Sequence, residues 1–346
     1  MISEFEALTE FLGADYSSFY IGLFVGSLFG VFAQQSRFCL RSAVVEFWRN
    51  QKGRMVPIWL LAFSFAFFLT QLQLFNQSID ISKIGYLNAS GSLSGALIGG
   101  AIFGIGMILA RGCASRLLIL SATGNFRALL SWFLIAIAAE QTIRGFLAPS
   151  RSFIVGLFSI SPSVRDMSLY LPEGSGLAFG LILLCFAFYL GVKARLSIWQ
   201  FVTAFGVGLA VILGWVLTGL HASVSFDIVR IESVSFIGPS VEALNSLFAF
   251  IPFKPGFEIG MIGGVFIGSL LASLIAQEFK FAFFTKESGF VRYLIGATLM
   301  GFGGVLAVGC SVGAGLSGVS VLSLTALVSL VTMFIFAGLT DKFLNG

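Results

Sequence analysis

Charge is scarce in this chain. Only 10% of its 346 residues are Asp, Glu, Lys or Arg, while 57% are hydrophobic. So few charges cannot cover the surface of a soluble domain, and no polar block is long enough to form one. Histidine occurs once, as His221, which leaves imidazole-based acid–base or metal chemistry almost no material. The four cysteines lack the close pairing of a disulfide framework or a zinc site. A phosphate-binding P-loop is absent, which argues against ATP coupling within the chain. The opening MISEFEALTEFLGADYSS is acidic and has no basic n-region, so a cleavable signal peptide is not expected. No metal, cofactor or nucleic-acid partner is expected, and the net charge of +4 reads as topology.

What is present is apolar length. With 40 Phe and a mean hydropathy of +0.99, the sequence has runs near the ~20 residues a helix needs to cross a bilayer. It reads as one all-α polytopic membrane domain over 1–346, with about nine transmembrane helices plus short re-entrant helices. The spans fall near 19–36, 56–75, 93–110, 127–147, 174–192, 198–218, 258–276, 293–309 and 321–340. With the N-terminus outside, 14 basic residues fall on the inner side and six on the outer, namely Lys83, Arg144, Arg151, Arg165, Arg230 and Lys254. Lys280, Lys286 and Arg292 are among the inner ones. The positive-inside rule then gives N-out and C-in.

The sequence also contains a doubled phrase. GALIGGAIFGIGMILARGCAS from Gly95 and IGATLMGFGGVLAVGCSVG from Ile295 each end on Gly-Cys and small residues. Setting Cys113 on Cys310, 197 residues on, also aligns Gly99 with Gly296, Gly104 with Gly301, Gly106 with Gly303 and Gly112 with Gly309. The span count makes the copies antiparallel, so an inverted repeat with a pseudo-two-fold axis is expected. Its halves cover about 19–148 and 198–340, with 174–192 as the linking span. A weaker echo sets Gly30 on Gly214, Arg37 on His221 and Cys39 on Ser223. Glycines four apart, such as Gly95/Gly99, Gly100/Gly104 and Gly260/Gly264/Gly268, also suit helix packing.

Three apolar stretches are too short to span, at 39–48, 114–121 and 311–320, and each follows a span that ends at or near a cysteine. Such segments at membrane depth belong inside the protein or along a cavity. Glycine lets the chain turn there, and a short helix aims free N–H groups at whatever fills the break. Gly112, Ser115, Gly309, Ser311 and Gly313 are therefore candidate substrate-binding residues. Cys39, Cys113 and Cys310 add polarizable thiols suited to soft sulphur. Arg37 and Arg116 can hold an anion electrostatically; Arg37 belongs to a donor cluster, Gln34-Gln35-Ser36-Arg37-Phe38-Cys39-Leu40-Arg41-Ser42. Cys185, in Leu183-Leu184-Cys185-Phe186-Ala187, reads as packing. Glu140 and Arg144 form either a salt bridge or an anion-attracting outer vestibule.

Arg37-Phe38-Cys39, Gly112-Cys113-Ala114 and Gly309-Cys310-Ser311-Val312-Gly313 resemble the motifs of the YeeE/YedE family of bacterial inner-membrane proteins, the sulphur-transport domain family. The resemblance covers essentially the whole chain. It implies a non-enzymatic permease that imports a small sulphur-containing anion, foremost thiosulfate, past Cys39, Cys113 and Cys310 as a thiol relay. A cytoplasmic sulphur-carrier or sulphurtransferase protein is an implied partner beside the lipid bilayer. Thiosulfate-type members carry glycine and threonine around the middle cysteine, where this chain has Arg111 and Ser115-Arg116, so another sulphur or selenium species stays open. A membrane sulphurtransferase or thiol-redox enzyme is the alternative. The inverted halves suggest Cys113 and Cys310 near the middle of the path and Cys39 towards the cytoplasm.

Overall fold

The computed structural model describes residues 14–77, 84–88, 90–225, 230–248, 256–284 and 289–345. Lys83, Lys254 and Lys286 of the charge count lie outside them, as does the acidic start before residue 14. Nine long helices occur among the described residues, and each overlaps an expected span. They are α1 (Ala14–Gln35), α3 (Met55–Phe75), α4 (Leu93–Leu109), α6 (Phe126–Ile143), α7 (Ser175–Lys193), α8 (Ile198–Val224), α10 (Phe257–Ile275), α11 (Phe290–Leu306) and α12 (Leu324–Asn345). Eight meet the length and apolarity of a membrane crossing, and α11, at 17 residues, matches the 17 of its repeat mate α4. The protein is an all-α multi-pass membrane protein.

Local chemistry starts these helices. Ser92 caps α4 by accepting from the Gly95 N–H, Asn125 caps α6, and Ser197 with Gln200 closes a capping box on α8. Short helices interrupt the long ones at α2 (Leu40–Trp48), α5 (Ala114–Ala122) and α9 (Ile237–Leu247). A π-helical turn, Gly313–Gly318, takes the fourth such place, closed by Ser317 N–H donating to Val312 O at 3.0 Å. Three of these four occupy the short apolar stretches expected from the sequence. The fourth, α9, was not anticipated.

The long helices pack through glycine. A side chain at Gly26 or Gly30 would strike the backbone of Met261 or Val265 on α10, and one at Gly264 or Gly268 that of Leu23 or Ser27 on α1. Between α4 and α11, Gly99 meets Gly303 and Gly106 meets Gly296. The 197-residue offset carries Gly99 forward to Gly296 and Gly303 back to Gly106, so each contact is the image of the other. Residue numbers rise along α4 as they fall along α11. The two helices are therefore antiparallel and related by a two-fold axis perpendicular to them. The same exchange turns the α4–α12 packing into α11–α6, and α1–α10 into α8–α3. The inverted repeat expected from the sequence is present.

The weaker echo is corrected by the structure. Ser223 sits exposed in the last turn of α8, its hydroxyl donating to Leu220 O at 2.7 Å. Helix α8 runs on to Val224, and the short helix that mirrors α2 begins only at Ile237. The position 197 residues beyond Cys39 is Phe236, the residue that precedes α9 as Cys39 precedes α2. His221 is structural, with Nε2 2.6 Å from Ser17 Oγ and Nδ1 3.3 Å from Ser18 Oγ on α1.

Candidate functional site

Several helix ends in this fold share one closure, and three of them lead directly into a cysteine. Helices α1, α4 and α11 each close with a residue in the left-handed region, Arg37 (φ 55°), Arg111 (φ 56°) and Val308 (φ 56°). The next residue then donates back to a carbonyl five positions earlier: Phe38 to Ala33 (3.1 Å), Gly112 to Met107 (3.2 Å) and Gly309 to Gly304 (2.9 Å). These are Schellman closures. A left-handed conformation costs a non-glycine residue roughly 1–2 kcal/mol, so the surrounding fold has to impose it. The residue after each closure is a cysteine. Cys39, Cys113 and Cys310 are delivered to equivalent places, each at the start of a short helix or turn.

Serine, threonine and aspartate usually occupy such starts, because their oxygens accept the free first-turn N–H groups. Here Cys39 and Cys113 are the N-cap residues of α2 and α5, and neither side chain caps its helix. Cys310 Sγ does accept, from Val312 N at 3.4 Å and Gly313 N at 3.3 Å, and the Phe236 N–H faces the same sulphur. All three thiols are free and buried. Sulphur is a weak acceptor, so these N–H groups stay underused and open to a stronger one.

Cys39 and Cys113 meet, with sulphurs 3.9 Å apart, and Ser115 Oγ lies 3.3 Å from Cys113 Sγ. The inverted halves suggested Cys113 and Cys310 together near the middle and Cys39 towards the cytoplasm; in the fold Cys39 and Cys113 form the close pair. Around them runs a polar chain. Arg116 donates to Gln34 (3.2 Å), Gln34 donates to Glu278 (3.0 Å), and Glu278 also accepts from Arg37 (3.2 Å). Arg116 lies within electrostatic reach of both sulphurs. The Arg37 side chain, 67% exposed and held by Glu278, marks the rim of this cluster. Gln34 stood in the donor cluster of the sequence, whereas Glu278, 244 residues further on, carried no local signal.

Cys310 lies at the opposite helix ends. Gly309 next to it borders a cavity of about 570 Å³ that is also lined by Tyr86, Arg230, Glu232, Ser235 and Glu258. A Cβ added at Gly309 or Gly313 would lie 3.3 or 3.1 Å from the Tyr86 hydroxyl, which also bonds with Ser235. Burial holds this phenol well above its ordinary pKa, so it stays a donor. Ser311 Oγ is buried and has no hydrogen-bond partner, which leaves a second donor beside the thiol. The cavity lining is mixed rather than uniformly basic, with Glu232 and Glu258 beside Arg230. Arg144 is paired with Glu140 (3.2 Å) and Glu242 (3.3 Å), the salt-bridge reading of that motif. Cys185 is exposed on the outer face of α7 rather than packed inside, and remains apart from the other thiols.

A polytopic fold with an inverted repeat, broken helices and underused N–H groups at the breaks is that of a membrane transporter. The chain belongs to the sulphur-transport family, whose model matches residues 35–339. It is 28% identical over 322 residues to the thiosulfate transporter TsuA of Spirochaeta thermophila, across 89% of this chain and 93% of the relative. It is 24% identical over 352 residues to the thiosulfate transporter TsuA of Escherichia coli, across 92% and 93% of the two chains.

Proposed function

We propose that this protein is a permease that brings thiosulfate across the bacterial inner membrane, with Cys39, Cys113 and Cys310 lining the path. The observation that carries the reading is that three helix closures each lead into a buried thiol at the start of a short helix or turn. Thiosulfate has hard, charged oxygens at one end and a soft sulphur at the other. Backbone N–H groups of the broken helices, with Ser311, Gly313 and Tyr86 on one side and Ser115 and Arg116 on the other, suit the oxygens. The thiols suit the terminal sulphur through weak S–H contacts that let it leave again. The names of the two relatives support thiosulfate as the anion.

With the basic loops inside, the N-terminus is outside and the C-terminus cytoplasmic. Cys310 and its cavity then face outwards and the Cys39–Cys113 pair inwards. Residues 19–148 and 198–340 act as the two halves of one transport domain, joined by the span at 174–192. Thiosulfate released intact past Cys39 and Cys113 would be taken up by a cytoplasmic sulphur-carrier or sulphurtransferase protein. The test is growth of a host lacking its own uptake routes on thiosulfate as sole sulphur source. Wild type should support growth, and Cys39→Ala, Cys113→Ala and Cys310→Ala should each abolish or severely slow it. Rescue on sulphate or a selenium species instead of thiosulfate would overturn the substrate assignment.

One observation favours a covalent reading, the 3.9 Å approach of Cys39 to Cys113. A sulphurtransferase would carry a persulfide on one thiol during turnover. Intact mass spectrometry of protein quenched during uptake separates the two, since a relay of S–H contacts leaves no adduct.

A further inference from the structure

Three phenylalanine rings connect the surroundings of Cys310 to those of Cys39. Phe236 precedes α9 and turns its N–H towards Cys310 Sγ. Its ring lies 5.3 Å from that of Phe29 on α1. The Phe29 ring in turn lies 6.4 Å from that of Phe38, edge to face at 83°, and Phe38 is bonded to Cys39. All three are buried, at 0%, 0% and 1% exposure. By the repeat Phe236 stands where Cys39 stands in the other half. The fold thus offers four equivalent positions, of which three hold thiols and the fourth a benzyl group.

We propose that Phe236, Phe29 and Phe38 form a dry aromatic septum between the outward thiol and the inward pair, and that this septum sets selectivity. The proposal rests on the permease reading above. A hydrated anion cannot cross buried rings, because nothing there replaces its water. The terminal sulphur of thiosulfate holds its water less tightly than a sulphate oxygen does and gains dispersion contacts at ring edges, which carry the positive part of the quadrupole. Thiosulfate can lead with its sulphur from the Cys310 site to the Cys39–Cys113 site. Sulphate presents only oxygens and is held back, as are water and chloride. A fourth cysteine at position 236 would line the break continuously with polar groups and lose this barrier.

Proteoliposomes test it. Tracer exchange of labelled thiosulfate and of labelled sulphate is measured into vesicles preloaded with the same unlabelled anion, and chloride efflux is recorded from the same preparations. The proteins are wild type, Phe29→Ala, Phe29→Leu and Phe236→Leu, each accepted only if monodisperse and melting near wild type. The leucine variants keep an apolar filler of reduced size, so they secure the test where the alanine variant does not fold. The expected result is a thiosulfate preference over sulphate that falls about tenfold or more in Phe29→Ala, the range for reshaping an apolar site. The leucine variants should fall between, and chloride efflux should rise in the same order. Unchanged preference and efflux in the folded variants would overturn the septum. Absence of thiosulfate exchange by wild type would instead overturn the permease reading, while the chloride efflux of the variants still judges the septum.

Discussion

Cys39 and Cys113, 74 residues apart in the chain, bring their sulphurs to 3.9 Å at the adjoining N-termini of α2 and α5. Each is fixed by a backbone closure rather than by side-chain packing alone, so the approach follows from where two helices end. In a Cys185→Ser background, mild oxidation with copper phenanthroline is expected to join Cys39 to Cys113 and to spare Cys310. Peptide mass mapping reads the product. A disulfide to Cys310, or none at all, would contradict the pairing.

Gly309 and Gly112 occupy matched places in the repeat yet should respond differently to alanine. Gly309 has φ 153°, and a Cβ there would lie 2.7 Å from Ala314 N. At Gly112 the added methyl meets only the flexible end of Leu117, at 3.2 Å. Gly309→Ala is expected to cost about 2–3 kcal/mol through backbone strain, and Gly112→Ala no more than about 1 kcal/mol. Thermal melting of the purified proteins in detergent gives the comparison; equal losses would show that the π turn adapts.

Arg49, just past α2, clamps Asp341 on α12 with two bonds of 2.7 and 2.9 Å. The carboxylate side chain is 2% exposed, and its presence raises the Arg49 pKa further above its ordinary value. Arg49→Ala removes this partner from a buried carboxylate and is expected to destabilise the fold by about 2 kcal/mol. Asp341→Asn should cost less, because its amide oxygen can still accept from the guanidinium. Melting temperatures of both variants, read at low and high salt, check the order.

Glu232, on the loop before α9, faces the 570 Å³ cavity, and burial raises its pKa despite Arg230 nearby. The folded protein therefore retains a proton that the unfolded chain, titrating at about 4.3, releases. Its contribution to stability is complete below that pH and is lost as pH climbs through the raised value. Melting of wild type should thus decline from acid towards neutral pH, and Glu232→Gln should flatten the profile. An identical slope in the variant would assign the dependence to other groups.

Much of this architecture is written in local patterns. Apolar length set the long helices, and the glycine register of Gly99, Gly106, Gly296 and Gly303 foretold both a repeat and a close helix crossing. The three thiols were legible because each follows a span and precedes a short apolar stretch. Helix α9 was not legible, since its counterpart to Cys39 is Phe236 and the segment before it differs in length from the mirrored one. Nor was the Arg37–Glu278–Gln34–Arg116 chain, whose members come from distant helices.

The sequence by itself determined that the chain crosses a membrane many times, repeats itself in inverted form and carries thiols at its helix breaks. These properties depend on composition and spacing, which act within a few turns of chain. Only the tertiary structure decided which cysteines meet, that Glu232 and Glu258 share a cavity with Arg230, and that the rings of Phe236, Phe29 and Phe38 pack in a row. Those outcomes depend on where helix ends arrive in space, and the packing of glycine faces hundreds of residues apart sets that.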